Sequence, residues 1–267
     1  MNETTLNRID FFGPAGVGKS SHFEYLIDES QRKRSWATVA ELEQICARRQ
    51  ARKYERIWRR MMLAGGLAAP RLSVPIARYI NRQREEDCFK RFSETYGEFF
   101  RFAIHQACIA EKNEYRRALG YYRFIYYFLR WAVYYDNVPS VTVVCDESLT
   151  QRMHSVLSWT DNGLKACSEY CRLMPRPEAV VIFYGSVDSI VRNIYERGRR
   201  GGKVIPGHRE LQGEELRESI RIQLRMNEEV AKVLSDRGSE VLEISCEEMK
   251  IKENSERIRR FAEARSL

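Results

Sequence analysis

The apolar positions of the chain fall into two textures. The first is the short continuous run bounded by turn-forming residues. Ile9-Asp10-Phe11-Phe12 ends in a Gly/Pro loop, Val141–Cys145 is β-branched, Ala179–Tyr184 follows two nearby prolines, and Glu240–Ile244 closes the set. Runs of this kind predict strands covered on both faces. Trp36-Ala37-Thr38-Val39 is a weaker, shorter strand. The second texture is helical. It covers Gly18 to about Ile27, then nearly everything from Ala40 to Tyr135, and again a segment from Val187, Glu214–Asp236 and Ser255–Ala264. Within the long stretch, Glu41–Met62 and Arg82–Glu111 carry helix formers, and Gly65-Gly66 with Pro70 and Pro75 predict a break between them. No unit of roughly 20–50 residues repeats. Apolar strands alternating with helices predict an α/β fold with a parallel sheet and helices on both faces. One domain over residues 1–267 suits the length, with a helical insertion at about 40–135. Insertions of that size usually carry function.

Between the first strand and the first helix stands Gly13-Pro14-Ala15-Gly16-Val17-Gly18-Lys19-Ser20, followed by Ser21. It fits G-x-x-x-x-G-K-[ST] at every fixed position. The glycines let the backbone turn tightly and aim successive N–H groups at phosphate oxygens. The helix that follows adds its unpaired N–H groups and the positive end of its dipole. In this pattern Lys19 reaches the β- and γ-phosphates and Ser20 gives its hydroxyl to Mg²⁺. A nucleoside triphosphate is the expected ligand.

Asp146-Glu147 follows the strand Val141–Cys145, where such proteins place a carboxylate that holds Mg²⁺ or takes a proton from an attacking hydroxyl. An acidic pair at a helix start also complements the helix dipole. Arg192, Arg197, Arg199, Arg200 and Lys203 crowd into a helix end and a glycine-rich stretch running to Gly207. Basic groups interleaved with glycine suit a lid at about 197–209, with Arg197 and Arg199 as the candidates for the transferring phosphoryl group. A solvated basic loop has the same composition.

Composition narrows the picture only slightly. The formal charge is +8, which suits phosphates, a nucleic acid or an anionic membrane alike. Seven scattered cysteines without a CxxC point to free thiols and a reducing compartment. No secretory signal or membrane span is visible, so the chain reads as cytoplasmic. His22, His105, His154 and His208 stand apart from one another. Arg48, Arg49, Arg52, Arg56, Arg59 and Arg60 form a basic face, either solvated or a polyanion site. Tyr121–Trp131 is apolar all round, which predicts burial in a core; an acceptor-pocket wall, a self-association face that leaves a homodimer open, and an interfacial contact are the alternatives.

Three blocks together resemble the P-loop nucleoside and nucleotide kinases, the thymidylate kinase group above all: Phe12–Ser21, the strand ending in Asp146, and Ala179–Tyr184 leading to Arg197-Gly198-Arg199-Arg200. Glu214–Asp236 and Glu240–Ile244 are similar to that family's closing elements. The resemblance covers about half of the chain. It implies ATP and Mg²⁺ as cofactors, Ser20 and Asp146 near the metal, Asp146 near the acceptor, an adenine seat at about Ser245–Glu248, and transfer of the γ-phosphoryl group to a small-molecule acceptor. The chain departs from the family in two places: Glu147 stands where an arginine is usual, and the insertion is much longer. Both favour a hydroxyl compound, an unusual nucleoside or a sugar beside a nucleotide as acceptor. A P-loop ATPase or nucleotide-gated interaction protein, with Glu147 polarising water and the basic insertion gripping nucleic acid or protein, is the other reading.

Overall fold

The computed structural model describes residues 6–29, 34–52, 57–69, 72–110, 114–137, 141–157, 161–201, 211–247 and 250–266. Five strands form the sheet: β1 (Arg8–Phe12), β2 (Trp36–Thr38), β3 (Thr142–Cys145), β4 (Ala179–Tyr184) and β5 (Glu240–Ser245). Their order is β2-β3-β1-β4-β5, and every pairing is parallel, with Asp10 opposite both Cys145 and Val180. The chain runs outward from β1 to β2, returns to β3, crosses β1 to β4 and ends at β5. The connections therefore diverge on either side of β1, and the crevice beyond the carboxyl ends of β1 and β3 is where open parallel sheets bind ligands.

Helices cover the sheet: α1 (Lys19–Glu29), α2 (Val39–Ala51), α3 (Ile57–Ala68), α4 (Ser73–Arg82), α5 (Glu85–Ala110), α6 (Glu114–Asp136), α7 (Leu149–Val156), α8 (Asp161–Leu173), α9 (Val187–Arg199), α10 (Gly213–Asp236) and α11 (Ile251–Glu263). Alternate strand residues separate two cores, as the pleat requires. Ile9, Phe11, Val144, Val181 and Phe183 pack with α1, α9 and α11. Phe12, Val143, Cys145, Val180 and Ile182 pack with the insertion helices, α7 and α8. The amino-terminal half of α10 joins the first core, through Leu216 and Ile220, and its carboxyl-terminal half the second.

Several sequence expectations change in detail. β2 stops at Thr38 because that residue caps α2: its hydroxyl accepts from Glu41 N, and its own N–H donates to the Glu41 carboxylate at 2.7 Å. Gly65 and Gly66 do not break a helix; both lie inside α3. A Cβ on Gly66 would sit 2.2 Å from Ile76 Cδ1, so the missing side chain is what lets α4 pack against α3. Pro75 sits in the first turn of α4, where a helix does not need its N–H; Pro70 lies outside the described residues. α11 begins at Ile251, four positions before the expected start. The stretch Tyr121–Trp131 is two-faced. Phe124 and Phe128 are buried against Phe99 of α5 and Trp131 against Arg8 of β1, whereas Tyr121, Tyr122 and Tyr126 are exposed, because α6 has a solvent side that aromatic density alone does not reveal.

One ion pair crosses the second core. Arg8 and Asp10, both fully buried, meet at 3.2 Å on the insertion side of β1. Arg8 also donates to the Tyr135 hydroxyl on α6 and to the Pro175 carbonyl, and the Thr150 hydroxyl on α7 donates to Asp10 at 2.5 Å. A buried charge needs such partners, since the sheet interior cannot solvate it. Thr150→Val keeps the shape and removes one donor; it is expected to cost about 1–3 kcal/mol. Urea unfolding measures this, and an unchanged midpoint would show the hydroxyl to be idle.

Candidate functional site

The segment Gly13–Gly18 leaves the end of β1 and enters α1 at Lys19. Gly13, Gly16 and Gly18 take φ of 148°, 90° and 109°, a region that costs other residues strain. Space demands glycine too: a Cβ on Gly13 would lie 2.8 Å from the Phe183 carbonyl, and one on Gly16 2.8 Å from Ile194 Cγ1. Gly16→Ala is therefore expected to lower stability by about 1–3 kcal/mol, read as a fall in thermal midpoint. Wild-type stability in that variant would mean that the turn relaxes freely.

Neighbouring elements hold this turn from three sides. Asn193 on α9 donates its amide to the Gly16 carbonyl at 2.9 Å. Gln151 on α7 reaches the Gly13 carbonyl at 3.3 Å. His22, one turn into α1, has Nδ1 2.9 Å from the Gly18 carbonyl, and its ring lies against Phe183. Burial lowers the His22 pKa below its usual value, so the ring stays neutral near pH 7 and serves the turn rather than carrying charge.

Lys19 is the centre of the arrangement. Its ammonium donates to the carbonyls of Gly13 and of Pro14, the latter at 2.8 Å. Burial brings its pKa down to about 7, and the charge of Arg197 acts in the same direction. Glu147, Cys246 and Asp146 act the other way. The lysine, the acidic pair and Arg197 near the end of α9, far apart in sequence, thus share one electrostatic neighbourhood. Ser20 and Ser21 stand exposed on the first turn of α1. Pro14 and Val17 are buried under the turn, and Ala15 is half-buried.

Asp146 and Glu147 emerge where β3 ends, beside β1, and they differ in environment. Asp146 is half-buried. Burial first, and then the Glu147 charge, raise its pKa; backbone N–H groups and Arg152 oppose them. Glu147 is exposed and already engaged: the Tyr127 hydroxyl on α6 donates to it at 2.7 Å, and Arg152 on α7 forms an ion pair with it. The Arg152 guanidinium also lies 3.9 Å from the Tyr127 ring centroid. Arg152 was not among the residues that sequence reasoning selected. It places a cation beside the acidic pair, five positions after Glu147 and across a helix start.

The lid candidates separate by helix geometry. Arg197 comes one turn after Asn193 on α9, the face that meets the Gly16 carbonyl. Arg199 is turned about 200° from Arg197 around the helix axis, and both are exposed. Residues 202–210, with Lys203 and His208, lie outside the described residues. So does Glu248 of the expected adenine seat; Cys246 of that segment comes to 3.8 Å from the position a Cβ on Gly18 would take.

A magnesium ion suits the donors present. The Ser20 hydroxyl and the Asp146 carboxylate are hard oxygen ligands, and magnesium typically takes one or two of these beside substrate phosphates. Among the described residues no cluster of three or more His, Cys, Asp or Glu forms a cage for a softer metal. All seven cysteines are free, and Cys167 and Cys171 are buried in α8. No described helix is long and apolar enough to cross a membrane. No protein-family model matches the chain, and no curated protein matches it.

Proposed function

We propose that the chain is a phosphotransferase of the P-loop nucleoside and nucleotide kinase kind, moving the γ-phosphoryl group of Mg·ATP to a hydroxyl or phosphate of a small acceptor. One observation carries the reading: Lys19, seated on the carbonyls of a three-glycine turn, shares its surroundings with Asp146, Glu147 and Arg197. An ammonium seated on two carbonyls, with its pKa lowered, is poised to take a polyanion in their place.

In this mechanism the backbone N–H groups of Gly13–Ser20 and the Lys19 ammonium bind the triphosphate, with Ser21 just behind them on α1. Ser20 and Asp146 would hold Mg²⁺, which neutralises phosphate charge when bound. Asp146, at the end of β3, takes the proton from the acceptor hydroxyl. The acceptor oxygen forms its bond to phosphorus as the bridging bond to the β-phosphate breaks, and that pair of electrons leaves on ADP. Arg197 faces the charge that develops, and Arg199 serves the outer side of the same helix end. Arg152 and Tyr127 line the acceptor side.

The ATPase reading needs Glu147 free to polarise water, yet that carboxylate is held by Arg152 and Tyr127. The deciding experiment follows ADP release from Mg·ATP with the protein alone, with nucleic acid, and with panels of nucleosides, nucleotides, sugars and amino-alcohols. Release that requires one acceptor class, with phosphate recovered on that acceptor, is the expected result. Release without any acceptor, accelerated by nucleic acid, would overturn the proposal.

A further inference from the structure

Helices α2, α3 and α4 enclose a small apolar core of their own, Ala47, Ala51, Leu67, Ala77 and Ile80, with Leu63 and Ile76 packed against it. The Gly66–Ile76 contact marks the seam between α3 and α4. At about 100° per residue around each helix, Leu63 and Leu67 on α3 and Ala77 and Ile80 on α4 turn to the α2 side of that seam. Met61, Met62, Leu72 and Tyr79 turn to the opposite side. These four are 69%, 68%, 53% and 50% exposed. Gly65 and Pro75, exposed between them, complete the face. Isolated apolar residues on a surface need no explanation, but four large ones on one side of a helical hairpin do.

The charge around this face is one-sided. Residues 57–84 contain six arginines, Arg59, Arg60, Arg71, Arg78, Arg82 and Arg84, and no Asp or Glu. Arg78 and Arg82 are exposed on α4, following the apolar face around the helix. Arg78 reaches Glu43 at 3.7 Å, but that carboxylate is buried and shared with Arg130 at 3.4 Å. Arg84 pairs with Asp87 at 3.5 Å, where the acidic start of α5 begins. Two exposed arginines, Arg78 and Arg82, flanking an apolar centre complement one kind of surface, anionic at its headgroups and apolar beneath them. A nucleic acid would match the arginines and leave the methionines and leucine exposed to phosphate and water.

We infer that the α3–α4 face docks on an anionic lipid bilayer. Met61, Met62 and Leu72 enter the headgroup–acyl boundary, Tyr79 lies across it, and Arg78 and Arg82 meet lipid phosphates. Methionine adapts to an irregular apolar medium, and tyrosine suits a boundary that is wet on one side. The chain would lie on the membrane rather than span it. This inference does not rest on the phosphotransferase reading, because no residue of the Gly13–Ser20 turn takes part.

Vesicle flotation of the whole protein tests it, with phosphatidylcholine vesicles compared with vesicles carrying about 30% phosphatidylglycerol. Wild type is expected to float with the anionic vesicles alone and to be released by salt. Met61→Ser/Met62→Ser and, separately, Leu72→Ser/Tyr79→Ser are each expected to lower partitioning about tenfold, with unchanged urea midpoints because all four side chains are exposed. Arg78→Gln/Arg82→Gln should weaken binding and flatten its salt dependence. Failure of wild type to bind anionic vesicles at about 0.1 M salt, or undiminished binding by both serine pairs, would overturn the inference. So would an RNA oligonucleotide that binds wild type and Met61→Ser/Met62→Ser equally and displaces the vesicles.

Discussion

Lys19→Ala is expected to lower acceptor-dependent turnover about a thousandfold or more, the scale seen when a preorganised cation is removed from a developing phosphoryl charge. Its pH signature makes the test specific. Burial, and then Arg197, bring the Lys19 ammonium down to about 7 in the ligand-free chain, whereas a bound triphosphate favours the charged form. Binding of Mg·ATP should therefore take up a proton at about pH 8 and little at about pH 6, with affinity weakening as pH rises through 7. Stability of the free protein carries the matching sign. Between about 7 and the ordinary value of 10.5 the unfolded chain binds the Lys19 proton and the folded chain does not. Stability therefore rises with pH across that window. Calorimetry in two buffers of different ionisation enthalpy measures the uptake. A variant that binds Mg·ATP like the parent, with the same proton uptake, would remove Lys19 from the site and the triphosphate reading with it.

Asp146→Asn is the second large effect. Loss of a positioned general base costs about 10²- to 10⁴-fold in turnover, while nucleotide affinity, set by the glycine turn and Lys19, should stay within a few-fold. Glu147→Gln is the internal comparison. Its carboxylate is tied to Arg152 and Tyr127, so the substitution should disturb acceptor affinity more than the chemical step. Undiminished turnover in Asp146→Asn would dismiss it as the base.

The two cores of the sheet show what local pattern conveys. Continuous apolar runs are legible because strands buried on both faces admit no polar alternation, and β1, β3 and β4 lie where those runs stand. β5 also lies where expected, but as an edge strand with Ile244 alone buried it is not covered on both faces, as its two glutamates allow. Helix limits in the insertion were less legible. Gly65-Gly66 reads as a break by local propensity, yet close packing against Ile76 keeps both glycines inside α3. Tyr121–Trp131 reads as uniformly buried because aromatic density does not say which side of α6 faces α5.

The amino-acid order alone determined the parallel α/β framework, the glycine turn with its lysine, and the acidic pair behind a strand, because each depends on residues adjacent in the chain. Only the tertiary structure decided which distant groups support that turn: Asn193, Gln151, Arg152 and Tyr127 reach it or its neighbours from three different helices. It also brought the charge of Arg197 to bear on Lys19, and set the methionines of α3 on a face with Tyr79 of α4. Spacing cannot specify such neighbours, since they depend on how separate helices pack and rotate against one sheet.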